Sequence, residues 1–308
     1  SSSSNNNGPI GSILAYGEVV TSTNTMLDKN PRWLARLPHG LVFTATSQVA
    51  GRGRGGNVWV NPRGVMATSV LFRMPAGVDV SSRVVTLQYL CSIALIESML
   101  GYGQSEPGQG AGYEDMPVRL KWPNDIYILK PEYFNKVADK DDLSNTVDGD
   151  DNKWVKVCGA LVNSLYIDGQ FNLVWGAGVN VANDAPTTSL NMVLARLNEM
   201  RKHAGKPELP PYQMEVFLAT IMKNLNSFYD VFMRSGLRPF LPLYYKRWFH
   251  TNQTVLLQKE SISAKVVIKG ITDQGLLMAE DVATKTVYDL QPDGNSFDIF
   301  KGLVYTKH

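Results

Sequence analysis

Leu41-Val42-Phe43-Thr44-Ala45-Thr46-Ser47-Gln48 runs through Val49-Ala50 into Gly51-Arg52-Gly53-Arg54-Gly55-Gly56, followed by Asn57-Val58-Trp59-Val60-Asn61-Pro62-Arg63-Gly64. The six central residues satisfy G-x-G-x-x-G and must first be read against the dinucleotide-binding fold. That fold needs the last glycine to open a helix whose N-terminus receives a pyrophosphate. Pro62 and Gly64 break any helix here soon after it starts, so a dinucleotide domain is disfavoured. What remains is a backbone free to close on a ligand, with two guanidinium forks shaped for phosphate or carboxylate oxygens. The stretch reads as an anion-handling loop. An arginine-glycine RNA-binding tract and a flexible basic surface loop are its alternatives.

Other segments narrow the choice. Ser22-Thr23-Asn24 follows an extended segment. Lys121-Trp122-Pro123-Asn124-Asp125, Lys156-Val157-Cys158-Gly159-Ala160-Leu161-Val162 and Gly176-Ala177-Gly178-Val179-Asn180 come later, in that order. With Gln48 and the Arg-Gly loop, this ordered set closely resembles the catalytic region of the biotin protein ligases, also called holocarboxylase synthetases. The resemblance covers nearly the whole chain from about Ile13 onward, and its motifs are specific as a set although weak singly.

The resemblance implies a mixed α/β (α+β) fold related to class II aminoacyl-tRNA synthetases. A mixed sheet flanked by helices would be followed by a small Src-homology-3-like β-barrel. It also implies ATP with Mg2+ as the co-substrate complex, biotin as substrate, and the biotin-carrier domains of carboxylases as protein acceptors.

Composition sets wide bounds. A chain of 308 residues suggests about two domains, and 44% hydrophobic with 19% charged residues is ordinary for a globular protein. A formal charge of +2 is too small to argue for nucleic acid. With no helix-turn-helix segment ahead of the catalytic region, neither DNA nor a repressor role is expected. No uninterrupted apolar run approaches a bilayer span and no signal peptide is evident, so the expected partners exclude a membrane and the expected location is cytoplasmic. The start without Met suggests processing or a longer parent chain.

Cys91 and Cys158 lie among apolar neighbours and give no metal spacing; buried reduced thiols are expected. His39, His203, His250 and His308 are scattered and form no ligand pair. Asn252-Gln253-Thr254 matches a glycosylation sequon that would be inert in the cytoplasm.

Along the chain, residues 1–8 read as a disordered leader. A biotin/ATP-binding catalytic domain is expected over 9–250 and a small β-barrel over 251–308. The 9–250 segment should include a helix over Arg83–Leu100, capped by Ser81 or Ser82, and another over about Tyr212–Arg234. Strands are expected at Val118–Trp122, Ile126–Leu129, Lys156–Ile167 and Gln170–Ala177, the last two joined by an Asp168-Gly169 hairpin turn. The acidic stretch at 130–153 reads as a mobile surface insertion, since it has few large apolar residues to pack.

Joining a carboxylic acid to an amine requires activation. Attack of the carboxylate on the α-phosphorus of ATP needs positive charge around two anions that otherwise repel, and no general base. Arg52, Arg54, Lys121 and Lys156 are the available cations. By resemblance, Arg54 and Lys156 contact phosphate and biotin carboxylate, and Arg52 with Gly53 helps close the loop over biotin. Lys121 is a further phosphate contact.

A neutral ureido ring calls for uncharged polar partners, which Ser22, Thr23, Asn24 and Gln48 supply, although Ser-Thr-Asn is also a good helix cap. Trp59 offers a face for adenine or a core contact, and Asn180 a hydrogen bond near the nucleotide. Asp125 is assigned to orienting or deprotonating the incoming lysine. The Mg2+ ligands stay unassigned. A lipoate ligase, an RNA-binding module and a catalytically silent biotin-binding protein are the competing functions.

Overall fold

The computed structural model describes residues 8–77, 79–104, 110–134, 153–259, 261–292, 295–298 and 303–306. The leader at 1–7 and the body of the expected insertion at 135–152 lie outside the described residues. Where that insertion leaves and rejoins the fold, Lys130 N–H donates to the Lys153 carbonyl at 2.9 Å.

Among the described residues, a seven-stranded sheet carries the first part of the chain. Its strands are β1 (Leu14–Val20), β2 (Val42–Gln48), β5 (Val65–Pro75), β6 (Val118–Lys121), β7 (Asp125–Leu129), β8 (Trp154–Ile167) and β9 (Gln170–Asn180). The order is β1-β2-β5-β9-β8-β7-β6, with β1 and β2 parallel and every other pair antiparallel. The Asp168-Gly169 turn joining β8 to β9 has both residues at positive φ (51° and 76°), as a type I′ hairpin requires.

Side chains alternate across a strand, and here both faces are used. Val42, Val70, Phe72 and Trp175 point into the main core, while Phe43, Leu71 and Val174 form a smaller cluster with Leu27 and Leu34. The smaller cluster belongs to two short helices, α1 (Thr23–Asp28) and α2 (Pro31–Leu34). The main core is filled by α3 (Val80–Leu100) and α5 (Met214–Ser235), with α4 (Leu190–His203) and α6 (Leu241–Arg247) beside them.

Helix α3 is long and apolar enough to cross a membrane by length and composition, but 72% of its most apolar window is buried inside the protein. It starts earlier than expected. Asp79, in the left-handed region, precedes it without a side-chain cap. Neither Ser81 nor Ser82 is the cap; Ser82 Oγ instead donates to the Asp273 carbonyl at 3.1 Å. Tyr212 falls outside α5, where its hydroxyl donates to the Met99 carbonyl.

The Arg-Gly stretch forms a small hairpin of β3 (Gly51–Arg52) and β4 (Val58–Trp59). A tight turn over Arg54–Gly56 joins them, with Gly55 and Gly56 at positive φ. No helix follows.

The C-terminal part is a six-stranded sheet of β10 (Thr254–Lys259), β11 (Ile262–Ile271), β12 (Leu277–Asp281), β13 (Val287–Leu290), β14 (Asn295–Asp298) and β15 (Leu303–Thr306). Its pairs are antiparallel except β10 with β15. This small sheet fits the expected barrel-type module. Its inward residues Val255, Leu257, Val266 and Ile268 join the same apolar cluster as α3 and Trp248.

Candidate active site

The sheet face that carries α1 is stripped of side chains at its centre. Gly159 and Gly178 sit opposite each other on β8 and β9. A Cβ on Gly178 would collide with the Trp59 indole, and one on Gly176 with the Asn24 amide. The bare strands leave room above them for a cavity of about 530 Å3.

Ser22, Thr23, Asn24, Gln48, Arg52, Gly53, Arg54, Trp59, Lys121, Asp125 and Lys156 all line it. These are the expected site residues with one exception. Asn180, at the end of β9, is buried and donates to Thr187 Oγ1 at 3.1 Å, apart from the cavity.

Part of the lining is neutral. Ser22 caps α1 by accepting the Thr25 N–H, and Gln48 Oε1 accepts the Thr23 N–H at 2.8 Å. Beneath them a relay runs from the Thr23 hydroxyl to Ser69 Oγ, and from Ser69 to Asn24 Oδ1. Since Ser69 spends its proton on Asn24, Thr23 is the donor to Ser69. The relay leaves the buried Asn24 Nδ2 without a protein partner, and Trp59 Nε1 is likewise unpaired. Two buried donors beside one cavity call for acceptor atoms from a ligand.

The lining is also cationic. Lys156 Nζ lies 2.9 Å from Asp125 Oδ1 and 5.8 Å from the Trp59 ring centroid. Lys121 Nζ stands 5.6 Å from the Tyr127 ring centroid. Arg54 donates to Asn124 Oδ1 and, at 2.6 Å, to the Pro292 carbonyl of the C-terminal segment. Arg52 is held differently: its Nη1 reaches both Asp28 oxygens (3.1 and 3.0 Å), and Asn163 Nδ2 donates to the same carboxylate at 2.6 Å. With Asp28 pairing Arg52 and Asp125 pairing Lys156, Arg54 and Lys121 keep the lining net positive and attractive to anions.

Among the described residues no group of three His, Cys, Asp or Glu side chains is placed to hold a metal ion. Cys91 and Cys158 are buried free thiols, and burial pushes both well above the usual thiol range.

Residues 16–180 match the biotin/lipoate A/B protein ligase family, a span that contains every one of the lining residues. The chain belongs to this family.

Among similar proteins, the biotin–protein ligase of Schizosaccharomyces pombe is 34% identical over 94% of this chain and 43% of its own length. Biotin–protein ligase 2 of Arabidopsis thaliana is 32% identical over 96% of this chain and 78% of its own length. The Homo sapiens biotin–protein ligase is 30% identical, and the chain spans only 36% of it. In solved structures the fold is shared with the Aquifex aeolicus biotin protein ligase in complex with biotin and ATP. That likeness has a TM-score of 0.59 at 16% identity, covering 91% of this chain and 96% of the other.

Four participants escaped the sequence reading. Asn124 was quoted in a motif without a role, yet it accepts from Arg54 and, through Nδ2, donates to the Ala160 carbonyl at 2.9 Å. Ser69, Asp28 and Asn163 carry no motif, because their partners are brought to them by the fold.

Proposed function

We propose that the chain is an ATP-dependent biotin protein ligase. It activates biotin as biotinyl-5′-AMP with release of pyrophosphate. It then transfers the biotinyl group to the ε-amine of a specific lysine in the biotin-carrier domain of a carboxylase. One observation carries this reading: a single cavity brings together four uncharged polar side chains, two unpaired donors and four cations.

In the first step a biotin carboxylate oxygen bonds to the α-phosphorus of ATP as the bond to pyrophosphate breaks. Arg54, Lys121 and Lys156 lower the repulsion between the two anions and stabilise charge gathering on the phosphate. Ser22, Thr23, Asn24 and Gln48 hold the ureido ring, and Arg52 and Gly53 close over it. Trp59 walls the nucleotide side. In the second step the lysine amine attacks the acyl carbon and AMP leaves. The amine must be neutral to attack, and Asp125 orients it and accepts its proton.

The described carboxylates do not assemble a magnesium site, so Mg2+ enters with ATP as part of the substrate complex and no residue is assigned to it. Asn180 receives no role in either step. Residues 251–308 form the module that closes the nucleotide side, since Pro292 takes Arg54. Reduced thiols at Cys91 and Cys158 suit the cytoplasm, where we place the reaction, with neither DNA nor membrane as partner.

The test is incubation with ATP, magnesium, radiolabelled biotin and a purified carboxyl-carrier domain. ATP-dependent covalent label on the carrier is expected. Preferential transfer of lipoate would make it a lipoate ligase, and biotin binding without pyrophosphate release would make it a silent binder.

A further inference from the structure

We propose that His250, which does not line the cavity, is a positioning residue of this site and fixes the backbone that carries Lys121 and Asp125. The proposal rests on the ligase reading above.

His250 is completely buried where the chain passes from α6 to the C-terminal sheet. Its Nε2 accepts the Trp122 N–H at 3.0 Å, so that nitrogen carries no proton. The ring proton is therefore on Nδ1 and is donated to Gln253 Oε1 at 2.9 Å. Burial, with the Lys121 cation adding to it, pulls the imidazole down to about 3 and keeps it neutral.

The neighbouring groups are gripped in the same way. Trp122 Nε1 donates to the Tyr89 hydroxyl at 3.1 Å, and that hydroxyl donates to the Gly275 carbonyl at 2.6 Å. The Tyr244 hydroxyl donates to the Pro123 carbonyl at 3.0 Å, and Phe249 N–H to the Leu120 carbonyl at 3.0 Å. The segment between Leu120 and Pro123 is thus clamped from α3, α6 and the chain entering the second sheet. Lys121 lies within the clamped segment and Asp125 two residues beyond it, and Asp125 in turn holds Lys156. The neutral residues stand on α1 with its cap Ser22 and on β2, and are not part of this clamp.

Loss of the Nε2 acceptor should therefore damage the chemistry and spare biotin binding. Glutamine places its amide oxygen about where Nε2 sits, whereas asparagine reaches only the Nδ1 position. With ATP and biotin saturating, His250→Asn is expected to lower the rate of pyrophosphate release by about 100-fold, the scale of a small misplacement of reacting groups. Its biotin Kd, by calorimetry without ATP, is expected to stay within about twofold of wild type. His250→Gln should stay within about tenfold of the wild-type rate. Amide exchange at Trp122 should accelerate in the Asn variant and not in the Gln variant.

An unchanged rate in the Asn variant, an equal loss of biotin affinity, or a folded Gln variant no better than Asn would each overturn the proposal. If the Asn variant does not fold, the rate and Trp122 exchange of the Gln variant decide. Wild-type protein that releases no pyrophosphate with biotin would sink the ligase reading instead, while Trp122 exchange still tests the His250 contact.

Discussion

Lys156 and Asp125 form an ion pair at 2.9 Å across neighbouring strands, at a place where the strand register slips. Ile126 pairs with Cys158 but Tyr127 with Lys156, so β8 carries one extra residue, Val157. Such a bulge re-aims side chains, and here it accompanies a lysine turned toward the cavity beside a carboxylate.

Replacing Lys156 by Glu would put a second carboxylate beside Asp125, facing the biotin carboxylate and the α-phosphate. Adenylate formation is expected to fall by roughly 1000-fold or more, the scale of losing a preorganised charge. Biotin-dependent pyrophosphate exchange measures it, and normal exchange would remove Lys156 from the site.

Arg54→Ala should slow adenylate formation by about 100-fold and weaken biotin binding much less, because its charge matters most where phosphate charge gathers. Comparing single-turnover adenylation with calorimetric biotin affinity checks this. Equal losses in both would deny Arg54 a phosphate role.

Arg52 and Asp28 latch the Arg-Gly hairpin to the end of α1, with Asn163 as third partner. Arg52 is 41% exposed and Asp28 8%, so solvent screens the pair and a coupling of about 1 kcal/mol is expected. A double-mutant cycle with Arg52→Ala and Asp28→Ala, read out as biotin affinity, supplies the number. Strictly additive effects would mean that the latch does not hold the loop.

Stability should depend on pH through two buried histidines. Burial, with Arg73 adding to it, lowers His39 to about 4, and its Nδ1 accepts the Arg73 N–H at 3.0 Å. His250 is lowered to about 3. The unfolded chain, with both near 6.5, binds more protons than the folded one below that value. Stability is therefore complete above about 6.5 and is lost as pH falls toward the folded values, by up to about 1.4 kcal/mol per histidine per pH unit. Urea denaturation at several pH values between 7 and 5 gives the slope. The double substitution His39→Asn with His250→Gln keeps both acceptors and should flatten it.

Removing residues 135–152 behind a short Gly-Ser bridge should leave biotin activation largely intact, since closure entropy varies slowly with loop length and Lys130 already bonds Lys153. A folded deletion variant without pyrophosphate release would assign that segment a part in the chemistry.

The lining of the candidate cavity was legible in the sequence wherever a short motif carried it. Ser22 to Asn24, Arg52 to Arg54, Lys121 to Asp125 and Lys156 each sit in a run whose local chemistry is odd enough to notice. The hairpin at Asp168-Gly169 was legible for the same reason. His250 was not, because its partner Trp122 is 128 residues away and a lone histidine beside aromatic residues has no local signature. Asp28 was hidden likewise, its partners lying 24 and 135 residues off. Asn180, expected from its motif to contact the nucleotide, is not among the residues lining the cavity, and its Nδ2 donates to Thr187 Oγ1. The start of α3 was not legible, since the helix opens at Val80 after an Asp79 that makes no side-chain cap, which leaves Ser81 and Ser82 inside it.

The apolar cluster that joins α3 and Trp248 to Val255, Leu257 and Ile268 bridges the two sheets, and they are expected to unfold as one unit. Heating should produce a single transition by every probe. Amides in β10 and β11 should exchange with the same opening free energy as those in α3, as one foldon. A protease nick between the sheets would then cost the fold and the chemistry together, leaving no stable half-enzyme to accumulate.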